Sequence, residues 1–449
     1  MNYTQTIQYL YSLGHETLAI KLGLETVRML ARACQEPQRK YPAIHIAGTN
    51  GKGSTAAMME AILRAAGFHA GLFTSPHLVS ITERIRVSGV EITQNDFARL
   101  ASEVRVTSER LIAEGLFEYP PTFFEQVTMI AFLYLAQHKV DMAVLEVGLG
   151  GRLDATNICQ PVVTAITQIG YDHQKYLGDT LAEIAGEKAG IIKREVPVVI
   201  APQEEEAMKV IVARAAELNA PITLIEEKMR SSRLLSADAE DPKTTLQTGR
   251  YRVRYRTDHA EYDFLLSLRG KHQVTNALTA IHLAEKLVER GWKIPAAAVI
   301  EGLSETEWPG RLEIVEMSKS SAPLLLDGAH NAAGATALRD FLIEHFSSRP
   351  ITFIFGAMAD KAFAEMSEIL FPVARKIIVT KVTNPRAAEP ARIAEGAVKF
   401  VRKVECIEDV KEALNKALSL TPQDGLICCY GSLFLVGEIK EQLSLNGAR

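Results

Sequence analysis

The chain has 449 residues, enough for two or three domains, of which 47% are apolar and 23% charged. Its 50 basic residues nearly cancel 54 acidic ones, for a formal net charge of −4; this argues against a general nucleic-acid binder and leaves no basic stripe for a membrane surface. The five cysteines form no C-x-x-C pair, the start lacks a basic-then-apolar leader, and no apolar run nears the ~20 residues that cross a bilayer, which predicts a cytoplasmic protein with reduced thiols. In chain order, residues 1–40 read as helical, with Tyr9, Leu10, Leu13 and Leu18 to Leu24 on apolar faces and breaks at Gly14 and Gly23. Ala43-Ile44-His45-Ile46 is a short buried strand, and Ala56 to Ala66 sets Met59, Ile62, Leu63 and Ala66 at helical spacing. Between them runs Gly48-Thr49-Asn50-Gly51-Lys52-Gly53-Ser54. Strand, glycine loop and helix make a phosphate cradle: the backbone folds close to an anion, N–H groups turn inward, and Lys52 adds a point charge. The stretch departs from the usual G-x-x-x-x-G-K-[ST], because Ala47 stands at the opening glycine and Gly53 displaces the hydroxyl to Ser54. A plain strand-to-helix turn with an exposed lysine leaves that density of glycine and hydroxyl unexplained.

Phe68 to Phe73 is a second strand, ending in the proline-fixed loop Thr74-Ser75-Pro76-His77-Leu78 and continued by Thr82 to Val87. Helices follow over 94–114 and 123–138, the second opened by Pro120-Pro121-Thr122-Phe123-Phe124-Glu125. Asp141 to Gly148 is a continuous apolar strand with Glu146 near its end, followed by Gly148-Leu149-Gly150-Gly151-Arg152-Leu153-Asp154. Pro161 to Thr167 is the next strand and leads to Gly170-Tyr171-Asp172-His173; a helix over about 180–193 carries Glu187 and Lys188, and Val196 to Ala201 is another strand. Nearly all-apolar strands alternating with helices mean a parallel sheet covered on both faces, whose ligands bind beyond the strand C-termini. Lys52, Ser75, Glu146 and His173 all fall on that edge.

Period-two alternation over Tyr251 to Arg256 and Tyr262 to Leu268 predicts a small antiparallel addition, with the polar run 229–248 as a loop. Gly270 to Ala277 leads into a helix reaching about residue 290. A second α/β unit follows, with strands at 324–327, 351–356, 376–380, 404–407 and 426–430 and helices at 332–346, 361–371, 389–402, 409–419 and 433–443. The boundary between the two units is placed at 296/297.

Glu146 at a strand end can hold Mg²⁺; a buried, neutral or ion-paired glutamate is the plain alternative. Taken alone, His173 and Ser75 read equally well as loop residues, and Lys188 as a solvated lysine. Arg311, after the rigid turn Trp308-Pro309-Gly310, can clamp phosphates or join the two units by a salt bridge. Asp327-Gly328-Ala329-His330-Asn331 ends a strand and starts a helix, where it caps the helix or meets a ligand; Ser432 reads as an N-cap.

Together, GTNGKGS, TSPHL, the strand-end Glu146 with GLGGRLDATN, GYDH, GEKAGI, HQ-x-x-NA, WPGR, DGAHN and GSLFLVGE resemble, in this order and from residue 48 to 438, the folylpolyglutamate synthases and bacterial dihydrofolate synthases of the Mur ligase superfamily. The PPTFFE stretch and Arg84 resemble the bacterial bifunctional type. The fold class this implies is α/β: a P-loop-type, mainly parallel sheet domain with a small antiparallel addition (1–296), plus a Rossmann-like second domain (297–449). The resemblance also implies a reaction, ATP-dependent addition of L-glutamate to dihydropteroate and to reduced folates through an acyl phosphate. Gly48, Thr49, Asn50, Gly51, Lys52, Gly53 and Ser54 would cradle the ATP phosphates, and Asn276, Arg311 and Asp327 would contact the nucleotide. Ser75, Glu146 and His173 would serve two Mg²⁺ sites, beside a carbamylated Lys188. His330 would lie near the γ-phosphate and the incoming glutamate, with Ser432 at the domain interface. Arg84, Thr122, Phe124, Asp154 and Ser432 would bind substrate, Phe124 and Thr122 at the pterin ring. Muramyl-peptide ligases usually carry GK[ST] here and a further domain before it, for which the 47 residues ahead of the loop leave no room. A monofunctional folylpolyglutamate synthase, or a P-loop kinase or nucleotide-binding regulator, is the competing reading. With no coiled-coil seam or large apolar patch visible, a monomer acting on small molecules is expected.

Overall fold

A computed structural model describes residues 1–14, 23–225, 234–239, 249–317, 321–359, 363–397 and 404–445. Its first sheet has eight strands: β1 (Ala43–Ala47), β2 (Ala70–Phe73), β3 (Ile85–Val87), β4 (Val90–Glu91), β5 (Met142–Glu146), β6 (Pro161–Ile166), β7 (Val198–Ile200) and β8 (Ile222–Leu224). Their order is β4-β3-β2-β5-β1-β6-β7-β8. The six strands from β2 to β8 run parallel, and β3 and β4 add an antiparallel edge. Every residue of β1 and β5 is buried, so these strands show no polar alternation; helices cover both faces of the sheet. His45 is the polar exception in β1, and its Nε2 lies 2.8 Å from Thr156 Oγ1.

On one face, helices Tyr3–Ser12 and Glu25–Ala33 pack with Gln94–Ala113 and Phe123–Gln137 around Leu10, Leu30, Phe97 and Phe132. The apolar residues Leu18 and Leu22 between the first two helices lie outside the described residues. On the other face, helix Lys52–Ala65 packs against Lys271–Glu289 and Ala296–Glu305. A Cβ at Gly302 would stand 2.5 Å from the Ile62 backbone nitrogen, so these two helices touch backbone to backbone. The expected boundary at 296/297 therefore falls at the start of a helix held by the first body, and we place the change of body after it, between Glu305 and Glu313.

A three-stranded antiparallel sheet follows, β9 (Leu234–Ala239), β10 (Tyr251–Arg256) and β11 (Glu261–Leu265), in the order β11-β10-β9. β10 shows the expected alternation, with Tyr251, Val253 and Tyr255 buried and the arginines between them exposed. β9 corrects the reading of 229–248 as a loop: Ala239 pairs with Tyr251 and Ala237 with Val253 along the edge of β10. The backbone ladder makes this strand, for its sequence Leu-Leu-Ser-Ala-Asp-Ala has no period of its own. The rest of the run lies outside the described residues.

The second body has six strands, β12 (Glu313–Val315), β13 (Leu324–Leu326), β14 (Ile351–Phe355), β15 (Lys376–Val379), β16 (Val404–Cys406) and β17 (Leu426–Tyr430), ordered β12-β13-β17-β14-β15-β16. All pairs are parallel except the β12–β13 edge. Its helices are Ala332–Phe346, Phe363–Leu370, Pro390–Ala397, Val410–Leu420 and Leu433–Leu445, as their sequences place them; of the expected helices, 361–362 and 398–402 lie outside the described residues. Among the described residues no helix is long and apolar enough to cross a membrane.

Candidate active site

The loop after β1 is built by glycine. Gly48 (φ 151°) and Gly51 (φ 87°) take conformations that other residues rarely adopt, and a side chain there would run into Thr167 Oγ1 or Asn276 Oδ1. Thr49 and Asn50 donate their backbone N–H groups to the Gln168 carbonyl at 2.9 and 3.1 Å, tying the loop to the end of β6. Helix Lys52–Ala65 has no side-chain N-cap, so the N–H groups of its first turn are open to an anion in the adjoining cavity. Lys52 is folded back, donating from Nζ to the Gly48 and Thr49 carbonyls at 3.0 and 3.2 Å. Ser54 Oγ accepts from Gln273 at 3.2 Å, and Gln273 in turn accepts from Asn276 at 2.8 Å; the sequence had marked Asn276 but not Gln273.

These residues line a cavity of about 330 Å³ that also takes in Ser75, Glu146, His173, Lys188, Arg311, Asp327 and His330. It lies between the C-terminal strand ends of the two sheets, lined by loop residues such as Ser75, His173, Arg311 and His330, by Glu146 on its strand and by Lys52 and Lys188 on their helices. Glu146, buried at the end of β5, accepts from the Ser75 backbone N–H at 3.1 Å. Burial raises its carboxyl above the ordinary value, while Lys52, the Ser75 N–H, Arg311 and Arg84 pull it back. Among the described residues no three His, Cys, Asp or Glu side chains gather into a ready-made metal cage. A lone carboxylate beside a serine suits Mg²⁺, a hard ion that keeps waters and completes its shell with phosphate oxygens.

His173 sits in the left-handed region at φ 52°, and its Nε2 is 3.9 Å from Asp172 Oδ2. The same carboxylate oxygen lies 3.4 Å from Nε2 of His330, across from the second body. His330 donates from Nδ1 to the Gly328 carbonyl at 2.8 Å, which leaves Nε2 facing Asp172. Asp172 thus stands between two expected site histidines, and it was missed although it adjoins His173 in the sequence.

Lys188 is 4% exposed at the end of helix Leu181–Ala189 and donates from Nζ to the Gly48 carbonyl at 2.9 Å. Burial first, and then the positive charge of Lys52, lower its pKa to about 7, against the opposing pull of Asp172, Asp154 and Glu187. The bland reading of a solvated lysine is therefore excluded.

Asp154 lines the cavity, but its oxygens are taken by its own loop. They accept from the N–H groups of Gly148 and Leu149 at 3.1 and 2.9 Å, and from the N–H and hydroxyl of Thr156. These bonds hold the GLGG loop in shape. Arg84 is 2% exposed and is not among the residues lining the cavity. It donates to His77 at 2.9 Å and lies 5.5 Å from the Phe123 ring centre, so it supports the wall from behind. Thr122 caps helix Phe123–Gln137 in a reciprocal capping box with Glu125. It lines the cavity with Phe124, whose ring fills the space a side chain at Gly148 would need.

From the second body, Asp327 accepts the N–H groups of Leu312 and Ala329, each at 2.9 Å, which sets Arg311 beside it. Burial raises the Asp327 carboxyl and Arg311 offsets this. His272, given no role by the sequence, also lines the cavity; burial and then Arg311 lower its pKa to about 4. Ser432 lines the cavity and caps the helix Leu433–Leu445, accepting from Leu435 N–H at 3.1 Å. Asn331 caps helix Ala332–Phe346 and also donates to Asn50 at 3.0 Å, a direct bond between the second body and the phosphate loop.

The family described as Mur ligase middle domain matches residues 46–284, and the Mur ligase glutamate ligase domain matches 310–433. The chain is 35% identical to the dihydrofolate synthase/folylpolyglutamate synthase of Bacillus subtilis, over 96% of this chain and 97% of that one. It is 33% identical to the folylpolyglutamate synthase of Lacticaseibacillus casei, over 99% of each. Among solved structures it is similar to Mycobacterium tuberculosis folylpolyglutamate synthase complexed with ADP, with a TM-score of 0.88, 31% identity and 98% of each chain covered.

Proposed function

The chain belongs to the Mur ligase family, among its folylpolyglutamate and dihydrofolate synthases, and on that premise we propose that it joins L-glutamate to dihydropteroate and to the glutamate tails of reduced folates. The substrate carboxylate attacks the γ-phosphorus of ATP, ADP leaves, and an acyl phosphate remains. The amine of glutamate attacks that carbonyl; the C–N bond forms, inorganic phosphate leaves and the nitrogen loses a proton. Such chemistry asks the protein for charge neutralisation and alignment more than for a covalent partner.

The observation that carries this reading is the meeting of Lys52, Glu146 and Lys188 from the first body with Arg311, Asp327 and His330 from the second in one cavity. Lys52 exchanges its two carbonyl partners for phosphate oxygens, and the first helical turn supplies N–H donors. Asn276, Arg311 and Asp327 hold the nucleotide, and the bond between Asn331 and Asn50 keeps the second body over the phosphates. Ser75, Glu146 and His173 would hold Mg²⁺ at two sites, where the ion would neutralise charge on the phosphates. Lys188 would react with carbon dioxide through its neutral amine, losing a proton and becoming an anionic carbamate in the cavity. His330, oriented by the Gly328 carbonyl and Asp172, would meet the incoming glutamate. Phe124 and Thr122 face the pterin ring. The same reading takes the protein as a cytoplasmic monomer serving small molecules.

Incubation with ATP, Mg²⁺, L-glutamate and dihydropteroate should release ADP only when all are present and yield dihydrofolate by mass. Product from a reduced folyl monoglutamate but none from dihydropteroate would leave only tail extension. ADP release indifferent to glutamate would refute the ligase reading.

A further inference from the structure

Gly53 is one of the two residues, with Ala47, by which the phosphate loop departs from the usual pattern, and backbone conformation does not require it. It lies within helix Lys52–Ala65 with no positive φ, where glycine is about 1 kcal/mol worse than alanine. The space beside it is tight instead. A Cβ on Gly53 would stand 3.0 Å from Cζ2, 3.2 Å from Nε1 and 3.3 Å from Cε2 of Trp308, closer than ordinary van der Waals contact.

Trp308 is held by the first body, which also reaches the connecting chain farther on, where Arg269 donates to the Leu312 carbonyl at 3.4 Å. Its indole packs against the core under helix Lys52–Ala65, and the Arg86 guanidinium lies 5.9 Å from the ring centre. Pro309 then stiffens the chain, and from Gly310 on it also bonds to the second body. The Gly310 carbonyl accepts from Gly328 N–H at 2.8 Å, and Leu312 N–H donates to Asp327 at 2.9 Å. Arg311 enters the cavity between these two bonds. The indole on Gly53 and the two bonds into the second body thus fix Arg311 from opposite sides.

We propose that Trp308, seated on Gly53, is a positioning residue that sets where Arg311 meets the nucleotide, and that the glycine after Lys52 exists to admit the indole. The inference rests on the ligase reading only for what the nucleotide later does. The contact itself is read by nucleotide binding.

The test measures ADP affinity by titration calorimetry, with thermal melts alongside, for the intact protein and its Gly53→Ala, Trp308→Leu, Trp308→Phe and doubly substituted forms. Gly53→Ala should weaken ADP binding about fivefold or more beside Trp308, but less than about twofold in the Trp308→Leu background, as expected for residues in direct contact. Trp308→Phe should retain affinity within about threefold, and the Trp308→Leu loss should vanish in an Arg311→Gln background, since the indole acts through that arginine. An equal Gly53→Ala penalty in both backgrounds would mean the methyl disturbs the phosphate contacts directly, and would overturn the proposal. So would a Trp308→Leu loss that persists without Arg311. Should a leucine variant melt at room temperature, the phenylalanine variant decides: affinity lost with the fold intact would contradict the proposal. ADP binding with the predicted coupling but without glutamate-dependent turnover would uphold the positioning role and refute the ligase reading instead.

Discussion

Replacing Lys188 by methionine should stabilise the free protein at low pH while abolishing turnover. The folded chain holds this amine at a pKa of about 7, against 10.5 for an ordinary lysine. Between those values the unfolded chain carries a proton that the folded chain has released, so stability rises with pH across that window. Below about pH 7 both states are protonated and the full cost of burying the cation remains. The shift from 10.5 to about 7 sets a ceiling of about 5 kcal/mol on that cost. Loss of the hydrogen bond to the Gly48 carbonyl returns about 1 kcal/mol, and partial relaxation around the cation lowers the ceiling. A net gain of about 2 to 4 kcal/mol for Lys188→Met at pH 6 follows, shrinking toward zero by about pH 9. Urea melts in degassed, bicarbonate-free buffer at pH 6, 7.5 and 9 measure it. A variant less stable than the parent at pH 6, with a difference that does not change with pH, would show that Lys188 is not buried as a strained cation. The same depressed pKa leaves about half the amine neutral at pH 7, roughly a thousandfold more than an ordinary lysine, which is what carbamate formation needs.

Lys52→Ala should cut turnover by about a hundredfold or more while the melting temperature moves by less than about 2 °C; a full-rate variant would remove Lys52 from the cradle. Asp154→Asn places an amide N–H₂ against donors already aimed at the carboxylate, and should cost about 2 to 3 kcal/mol in a urea melt. An unchanged melt would return Asp154 to the substrate side. Asp172→Asn weakens the hold on His330, so kcat should fall about tenfold with the KM for ATP changing less than about threefold. The reverse split would mean that Asp172 serves nucleotide binding instead.

The strands and the glycine loop were legible because each rests on a local constraint. Strands buried on both faces are apolar throughout, and Gly48 and Gly51 mark backbone that only glycine adopts easily. Side chains whose roles depend on distant partners were not legible. Asp172 matters because His330 comes to it from the second body, and Asn331 because Asn50 does. Arg84 was read as a substrate contact, and in the fold His77 and the Phe123 ring hold it. Asp154 was read as a substrate contact, but its own loop supplies its donors, and an aspartate followed by Ala-Thr is as good a turn-former as a ligand. Gly53 looked like an irregularity of the phosphate loop until Trp308 was seen lying against it. In each case the missing information was a contact with no period in the sequence.

The central claim is that a substrate carboxylate takes the γ-phosphoryl group of ATP before glutamate attacks. Dihydropteroate or folyl substrate labelled with ¹⁸O in the reacting carboxylate tests it, with mass analysis of the inorganic phosphate formed in a glutamate-dependent reaction. The acyl-phosphate route predicts one labelled oxygen in each phosphate released; unlabelled phosphate alongside normal amide product would contradict it.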